Sequence, residues 1–425
     1  MKNLQSTEGL AIGISKKLVA ATVAGNALEF YDFMTYAFFA IYIGKAFFPA
    51  STPVGSLLLS VAVFGVGFLA RPLGGVLIGT FADHSGRKPA MLLTIGLISI
   101  GTLGLAVTPS YETIGIAAPI IIVACRLVQG LALGGEVGPS TAYLIEIAPS
   151  SQRGLYTSWQ LASQGAAIFI AGIMGLTVTS LLTPEQTEVW GWRLPFAMGL
   201  LLLPIGMYLR RHLPETLGSG KHQPHNTGLA GLKQHHRVIG LGILAILGGT
   251  ISAYVINFMT TFAISALKLP PAVAMGATII NGLFTLVFAL LGGWMADRYG
   301  RKPLMLWPRL IASLLAVPAF LWLTSAPSLG SLLAVTGLLT LLSSLSGAAL
   351  IIGIPEMLPQ RVRATGLSLT YAISVSLFGG TTQFIITWLI DRTGDSVMPA
   401  WYMCIAGIIS VAATLGLPET RGRSV

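Results

Sequence analysis

The segment Gly79-Thr-Phe-Ala-Asp83-His-Ser-Gly86-Arg87-Lys88-Pro89 returns as Gly293-Trp-Met-Ala-Asp297-Arg-Tyr-Gly300-Arg301-Lys302-Pro303, 214 residues further on. Each copy lies between two long apolar stretches. Apolar runs of about 18 residues or more read as membrane-spanning helices. The chain is therefore expected to be a duplicated membrane bundle. Two further echoes keep the same order. Glu146-Ile-Ala-Pro149 with Arg153 matches Glu356-Met-Leu-Pro359 with Arg363, and Leu213-Pro-Glu-Thr216 matches Leu417-Pro-Glu-Thr420. Duplicated bundles of this kind place a solute site between the halves, which points to a secondary transporter.

Composition agrees. Of 425 residues 54% are hydrophobic and only 9% charged, against about 25% charged in a soluble domain. The expected fold is all-α and integral to the membrane, with twelve transmembrane helices in two pseudo-symmetric six-helix halves. The apolar runs place them at 18–43, 54–82, 90–108, 114–146, 154–181, 191–212, 238–264, 271–296, 304–325, 329–357, 364–390 and 397–417. The N-terminal half is then 1–212, the linker 213–237, and the C-terminal half with a short tail 238–425.

The net charge of +10 does not call for a nucleic acid partner. The basic residues cluster in short loops, where they set topology. One set of loops and tails holds eighteen of them, including Lys16, Lys17, Arg87, Lys88, Arg153, Arg301 and Arg363. The opposite side holds only Lys45, Arg193, Lys268 and Arg392. Both termini are thus expected in the cytoplasm of a cell with this protein in its inner (plasma) membrane. A cleavable leader is not expected, because the first apolar run is of full spanning length and carries charges. Cys125 and Cys404 both fall within apolar runs and read as small core residues.

Taken together, Gly79-x-x-x-Asp83-x-x-Gly86-Arg87-Lys88, its second copy, and Arg126-Leu-Val-Gln129-Gly130 resemble the major facilitator superfamily. A narrower resemblance rests on Gly25-Asn26-Ala-Leu-Glu29-Phe-Tyr31-Asp32-Phe33, Arg71-Pro72-Leu-Gly74-Gly75, Gly134-Gly135-Glu136 and Trp190-Gly191-Trp192-Arg193. These look like the metabolite:proton symporters, which move organic acids, proline or betaine with protons. Tyr156-Thr157-Ser158-Trp159-Gln160 with Ser163-Gln164 is most similar to the citrate and tricarballylate carriers of that family. The resemblance implies that Asp83, Gly86, Arg87 and Lys88 gate the cytoplasmic side through a charge relay, with Asp297, Arg301 and Lys302 as the second copy.

The residues themselves suggest roles. Glu29 and Asp32 share one stripe of the first helix. Ionisable groups inside the membrane are costly and read as functional by default, here as proton carriers or as partners of a membrane arginine. Glu136, among glycines, reads equally as a proton site or an arginine partner. Arg126, with Gln129 on its face, holds its proton too tightly to carry it. It suits a substrate carboxylate, bidentately, or a neighbouring acid that it tunes. Arg71 is a weaker candidate of the same kind, and Arg309 is expected to snorkel to the interface. Gln160, Ser163 and Gln164 on the fifth helix, with Tyr254 and Asn257 on the seventh, are candidate substrate contacts or interhelical packing groups. Glu146 and Glu356, with Arg153 and Arg363 nearby, read as gating ion pairs.

The expected activity is proton-coupled symport of a di- or tricarboxylate such as citrate or tricarballylate, by a monomer in the lipid bilayer. No metal, catalytic residue or cofactor beyond the coupling ion is expected. Sodium is an open alternative, since Glu29, Asp32 and backbone carbonyls serve either ion. A zwitterionic osmolyte symporter is the second reading, a drug efflux antiporter the third, and a nutrient sensor that does not transport is a reading from a different class. An enzyme is not expected, because no nucleophile–base pair or metal-ligand cluster falls in the apolar runs.

Overall fold

In the computed structural model, residues 19, 23–85, 87–134, 141, 144–145, 148–149, 151–211 and 235–422 are described. Twelve helical stretches follow in the expected order. The first, α1, runs over 23–38, turns at Phe39, and continues as Ala40–Phe47. The helix α2 is Pro53–Leu69 continued by Arg71–Ser85, and α3 is Arg87–Val107. The next three are α4 (Ala117–Gly134), α5 (Arg153–Leu181) and α6 (Leu194–Arg211). In the second half, α7 is His236–Asn257 with Met259–Ser265, α8 is Pro271–Tyr299 and α9 is Arg301–Ser325. Then come α10 (Leu329–Glu356), α11 (Gln360–Ser374 and Gly380–Thr393, joined by the π turn Val375–Gly379) and α12 (Met398–Leu415). The linker 213–237 lies outside the described residues apart from 235–237.

Apolar composition makes these segments helical, because lipid leaves no partner for an unpaired backbone group. Their ends carry ordinary signals. Thr52 accepts from the Gly55 amide to cap α2. Ser328 and Ser331 form a reciprocal box at the start of α10. Gly300, at φ 106°, separates α8 from α9 in a conformation closed to most L-residues.

Two seams join the halves, and both depend on glycine. Along α5 and α8, a Cβ on Gly165 would lie 2.4 Å from the Leu286 amide nitrogen, and one on Gly282 would lie 2.2 Å from that of Phe169. Gly154 and Gly293 meet further along the same seam. The second seam brings α2 to α11, where a Cβ on Gly65 would lie 2.5 Å from the Gly380 carbonyl. By the duplication, α8 corresponds to α2 and α11 to α5. The two seams are therefore one contact made twice, as a pseudo-twofold arrangement requires. Small residues of this kind let helices pack closely where lipid supplies no hydrophobic drive.

At the end carrying Lys45 and Lys268 the halves are also sealed by α1 against α7. Thr261 donates to the Ala37 carbonyl at 3.3 Å, and Asn257 reaches the Met34 sulfur at 3.5 Å. Ala40, Leu57 and Val61 join Val255 and Phe262 in one apolar cluster there.

Candidate functional site

Among the described residues, three polar groupings that hold charged side chains interrupt this apolar frame. The first is enclosed by α1, α3 and α4. Asp32 accepts hydrogen bonds from the Thr102 hydroxyl and, at 2.6 Å, from the Gln129 amide. Gln129 in turn accepts from Arg126 Nη1 at 2.8 Å. Arg126 is fully buried, with its guanidinium 4.4 Å from the Phe33 ring centre and 4.5 Å from that of Tyr36. Gly67 lets α2 approach α4 here, since a Cβ there would lie 3.2 Å from the Arg126 carbonyl oxygen. Arg126 and Asp32 are thus linked through an amide rather than directly. Asp32 Oδ1 and Arg126 Nε and Nη2 keep no hydrogen-bond partner. Arg71 stacks over Phe68 at 4.1 Å and Phe33 at 4.7 Å. Glu29 is also buried.

The second cluster is a cavity of about 150 Å³ between the halves. The first half contributes Phe30, Leu161, Gln164 and Ile168. Apart from Gln164, the polar wall comes from the second half: Thr250, Tyr254, Asn257, Asn281, Thr285, Arg309, Thr340, Ser343, Ser344 and Tyr371. Asn281 donates to Asn257 Oδ1 at 2.7 Å and accepts from Thr285 and Thr340, each at 3.3 Å. The π turn of α11 borders the cavity through Val375. Such turns concentrate at functional sites.

Of the substrate contacts expected from sequence, Gln164, Tyr254 and Asn257 line this cavity. Arg126, Gln129, Arg71, Gln160 and Ser163 are absent from its walls. Gln160 and Ser163 instead hold α1, through Asn26, which donates to Ser163 Oγ at 2.6 Å and accepts from Gln160 Nε2 at 3.1 Å. Sequence reasoning missed Asn281 and Thr340; an asparagine within the apolar run 271–296 was the available signal. Arg309 does not snorkel. It is 1% exposed, because α9 turns that face to α7 and α12 rather than to the interface.

The third cluster lies at the basic end. Arg301 forms a two-pronged ion pair with Glu356, at 3.0 Å on each prong, and lies 3.2 Å from Asp297. Thr420 donates to Glu356 at 2.7 Å. Asp297 crosses between the halves and accepts from the amides of Gly154 and Leu155 at 2.8 and 3.1 Å. A carboxylate at the first turn of α5 satisfies free amides and the helix dipole together. Arg153 Nε is buried without a hydrogen-bond partner, while Lys302 points its Nζ to the Leu415 carbonyl at 2.9 Å. Gly86, Glu136 and Glu146 lie outside the described residues, as do the side chains of Asp83, Arg87, Lys88 and Arg363.

Glu419, from the repeated Leu-Pro-Glu-Thr, was not singled out from sequence. It accepts from the amides of Arg301, Lys302, Thr420 and Arg421 at 2.9–3.0 Å. Partial burial pushes its carboxyl up, but these four amide donors outweigh that and hold it below the ordinary value of 4.5. A depressed folded-state value adds stability that is present above pH 4.5 and lost as pH falls through the folded value. Glu419→Gln should therefore flatten the acid limb of the melting temperature as pH falls below 4.5, by a modest amount because the group is exposed. Parallel acid limbs for the two proteins would remove Glu419 from this account.

A duplicated helical bundle, sealed by two symmetric glycine seams around a polar cavity, is the architecture of a membrane transporter. The chain belongs to the sugar (and other) transporter family, which matches it twice, over 17–235 and 219–425. It is 35% identical to a citrate-proton symporter of Salmonella typhi over 93% of this chain and 92% of that one. It is 32% identical to a proline/betaine transporter of Salmonella typhimurium, over 97% and 85%. A partially occluded, inward-open structure of the Escherichia coli xylose transporter XylE superimposes with a TM-score of 0.74 at 17% identity, covering 97% of this chain and all of that one. The resemblance expected from the loop and helix motifs therefore stands.

Proposed function

We propose that the protein is a proton-coupled symporter that carries an organic di- or tricarboxylate, such as citrate or tricarballylate, into the cell. The observation that carries this reading is the 35% identity to a citrate-proton symporter across both halves. The buried charges support it. Among the described residues, three deep arginines (Arg71, Arg126 and Arg309) outnumber the two deep acids of α1, Glu29 and Asp32. Such an interior favours an anion over a cation. Asp32 is the best-placed proton carrier: its partners Thr102 and Gln129 are uncharged, and one of its oxygens is unclaimed. Arg126, held through Gln129, stands close enough to tune it.

Substrate and proton enter from the side carrying Lys45 and Lys268, the halves rock about the central site, and both leave on the basic, cytoplasmic side. Asp297, Arg301 and Glu356 break and remake their contacts as the basic end opens. The membrane potential contributes about 2.3 kcal/mol per 100 mV for each net positive charge moved inward. A fully ionised tricarboxylate must therefore travel with at least three protons, or partly protonated, to avoid moving against the potential. The 32% identity to a proline/betaine transporter supplies the second reading, a zwitterionic osmolyte.

Purified protein in liposomes loaded with a pH-sensitive dye tests both. Citrate or tricarballylate should acidify the lumen without sodium, and betaine and proline should not. Acidification by betaine or proline alone would transfer the protein to the osmolyte reading. Dependence on sodium would replace the coupling ion.

A further inference from the structure

The guanidinium that sequence reasoning favoured for the substrate, Arg126, keeps Nε and Nη2 without a hydrogen-bond partner but does not face the cavity. It is stacked on aromatic rings, tied to Asp32 through Gln129, and absent from the cavity wall. Arg309 has the same free edge but differs in its surroundings. It lies within the second half, 1% exposed, and is part of the cavity lining. Its Nη1 is anchored by the Ser252 hydroxyl at 2.8 Å and the Gly248 carbonyl at 3.2 Å. Its other edge, Nε and Nη2, has no hydrogen-bond partner. Among the described residues no carboxylate pairs with it, and none lines the cavity. A buried, unpaired cation is strongly unfavourable, so a compensating anion is the missing part of this arrangement.

We propose that Arg309 is the carboxylate-binding residue of the transport site, presenting Nε and Nη2 as a two-pronged clamp for one carboxylate of the substrate. Nε and Nη2 form the side-on edge of the guanidinium, the edge that matches the two oxygens of a carboxylate. The Nη1 anchor fixes the plane of the fork before substrate arrives, which lowers the ordering cost of binding. Gly249 leaves space on the cavity side, since a Cβ there would lie 3.3 Å from Nη2. Asn257, Asn281 and Ser343 then supply uncharged donors for the rest of an organic acid; the Ser343 hydroxyl also lacks a partner. A water needs about 10–15 Å³ of such space, so a cavity of about 150 Å³ accommodates a small organic acid.

This places the two ligands on different halves. The proton sits with Asp32 in the first half and the anion with Arg309 in the second, and the cavity edge at Phe30 and Gln164 is where the halves meet around the substrate. The cycle then needs no exchange of partners at Arg126. It also separates the effects of substitution: changes at Arg309 should act on substrate affinity, and changes at Asp32 on coupling.

The inference rests on the organic-acid reading, and the test separates the two. Wild-type protein, Arg309→Gln, Arg309→Lys and Ser252→Ala would be titrated with citrate, tricarballylate and betaine by calorimetry, with melting temperatures recorded alongside. Loss of a charge-assisted pair should raise the citrate Kd of Arg309→Gln by about tenfold to a hundredfold. Arg309→Lys keeps the charge without the fork and should fall between that variant and wild type. Ser252→Ala keeps the guanidinium and releases its anchor, and it should weaken citrate by a smaller factor. If Arg309→Gln does not fold, the lysine and Ser252 variants decide. Wild-type citrate affinity in every variant that folds would overturn the assignment of Arg309 and leave the organic-acid reading standing. Binding of betaine but of neither carboxylate by the wild type would overturn both.

Discussion

Replacing Asp32 with asparagine should reduce proton-driven accumulation to the passive background while leaving exchange of substrate across the membrane. The substitution fits the site closely. One oxygen of Asp32 accepts from Thr102 and Gln129, and the other has no partner. An asparagine can keep its carbonyl oxygen on the two donors and put its NH₂ where the unpartnered oxygen lies, so shape and hydrogen bonds survive. What is lost is the group that takes up and releases a proton. A carrier without that step still equilibrates substrate down its gradient, because alternating access itself is unchanged. The two measurements are uptake into liposomes under an imposed pH gradient and counterflow without one. Loss of both, with a normal melting temperature, would mean that Asp32 serves the conformational cycle rather than coupling. Undiminished accumulation would move the proton elsewhere, with Glu29 next in line.

Gly282→Val should be the most damaging single change at the junction of the halves. A Cβ at this position lies 2.2 Å from the Phe169 amide nitrogen and 2.5 Å from its Cα. Both are backbone atoms, so no rotamer change relieves the overlap and α5 and α8 must separate by an ångström or more. Overpacking of this kind typically costs about 1–3 kcal/mol, occasionally more. That shifts the balance between two access states by roughly tenfold to a hundredfold. Transport should fall accordingly, and labelling of single cysteines placed at either end of the seam should change in rate. Gly96→Val is the control, because a Cβ there meets nothing within 4 Å. Equal activity in the two variants would show that the α5–α8 seam tolerates separation through the cycle.

The sequence carried the fold because the constraints on a membrane chain are local and one-dimensional. Lipid forces each long apolar run to be a helix, and twelve such runs with a repeat at 214 residues leave little freedom in topology. The repeat also pointed to the ion-pair cluster of the basic end. Asp297, Arg301 and Glu356 were legible from motif spacing, and in the folded chain they meet at one point with the first turn of α5. Helix ends were less legible. The break of α1 at Phe39, the π turn at 375–379 and the interruption of α7 at Phe258 leave no gap in hydrophobicity.

The candidate site was only half legible, and Arg126 and Arg309 show why. Residue type told us that each is costly in lipid and belongs to some polar arrangement. It did not tell which arrangement, since that depends on what the neighbouring helices bring to within 3 Å. Arg126 found Gln129 on its own helix and, through it, Asp32 on α1. Arg309, which by position near a basic loop was expected to reach the interface, is turned inward against Ser252 and the cavity. The sequence by itself determined that the chain is a duplicated helical membrane bundle, which ionisable groups lie within it, and which loops repeat. Only the tertiary structure decided which buried charge is linked to a carboxylate of the protein and which is left facing the cavity, because electrostatic compensation is a property of distances between helices and not of the order of residues along them.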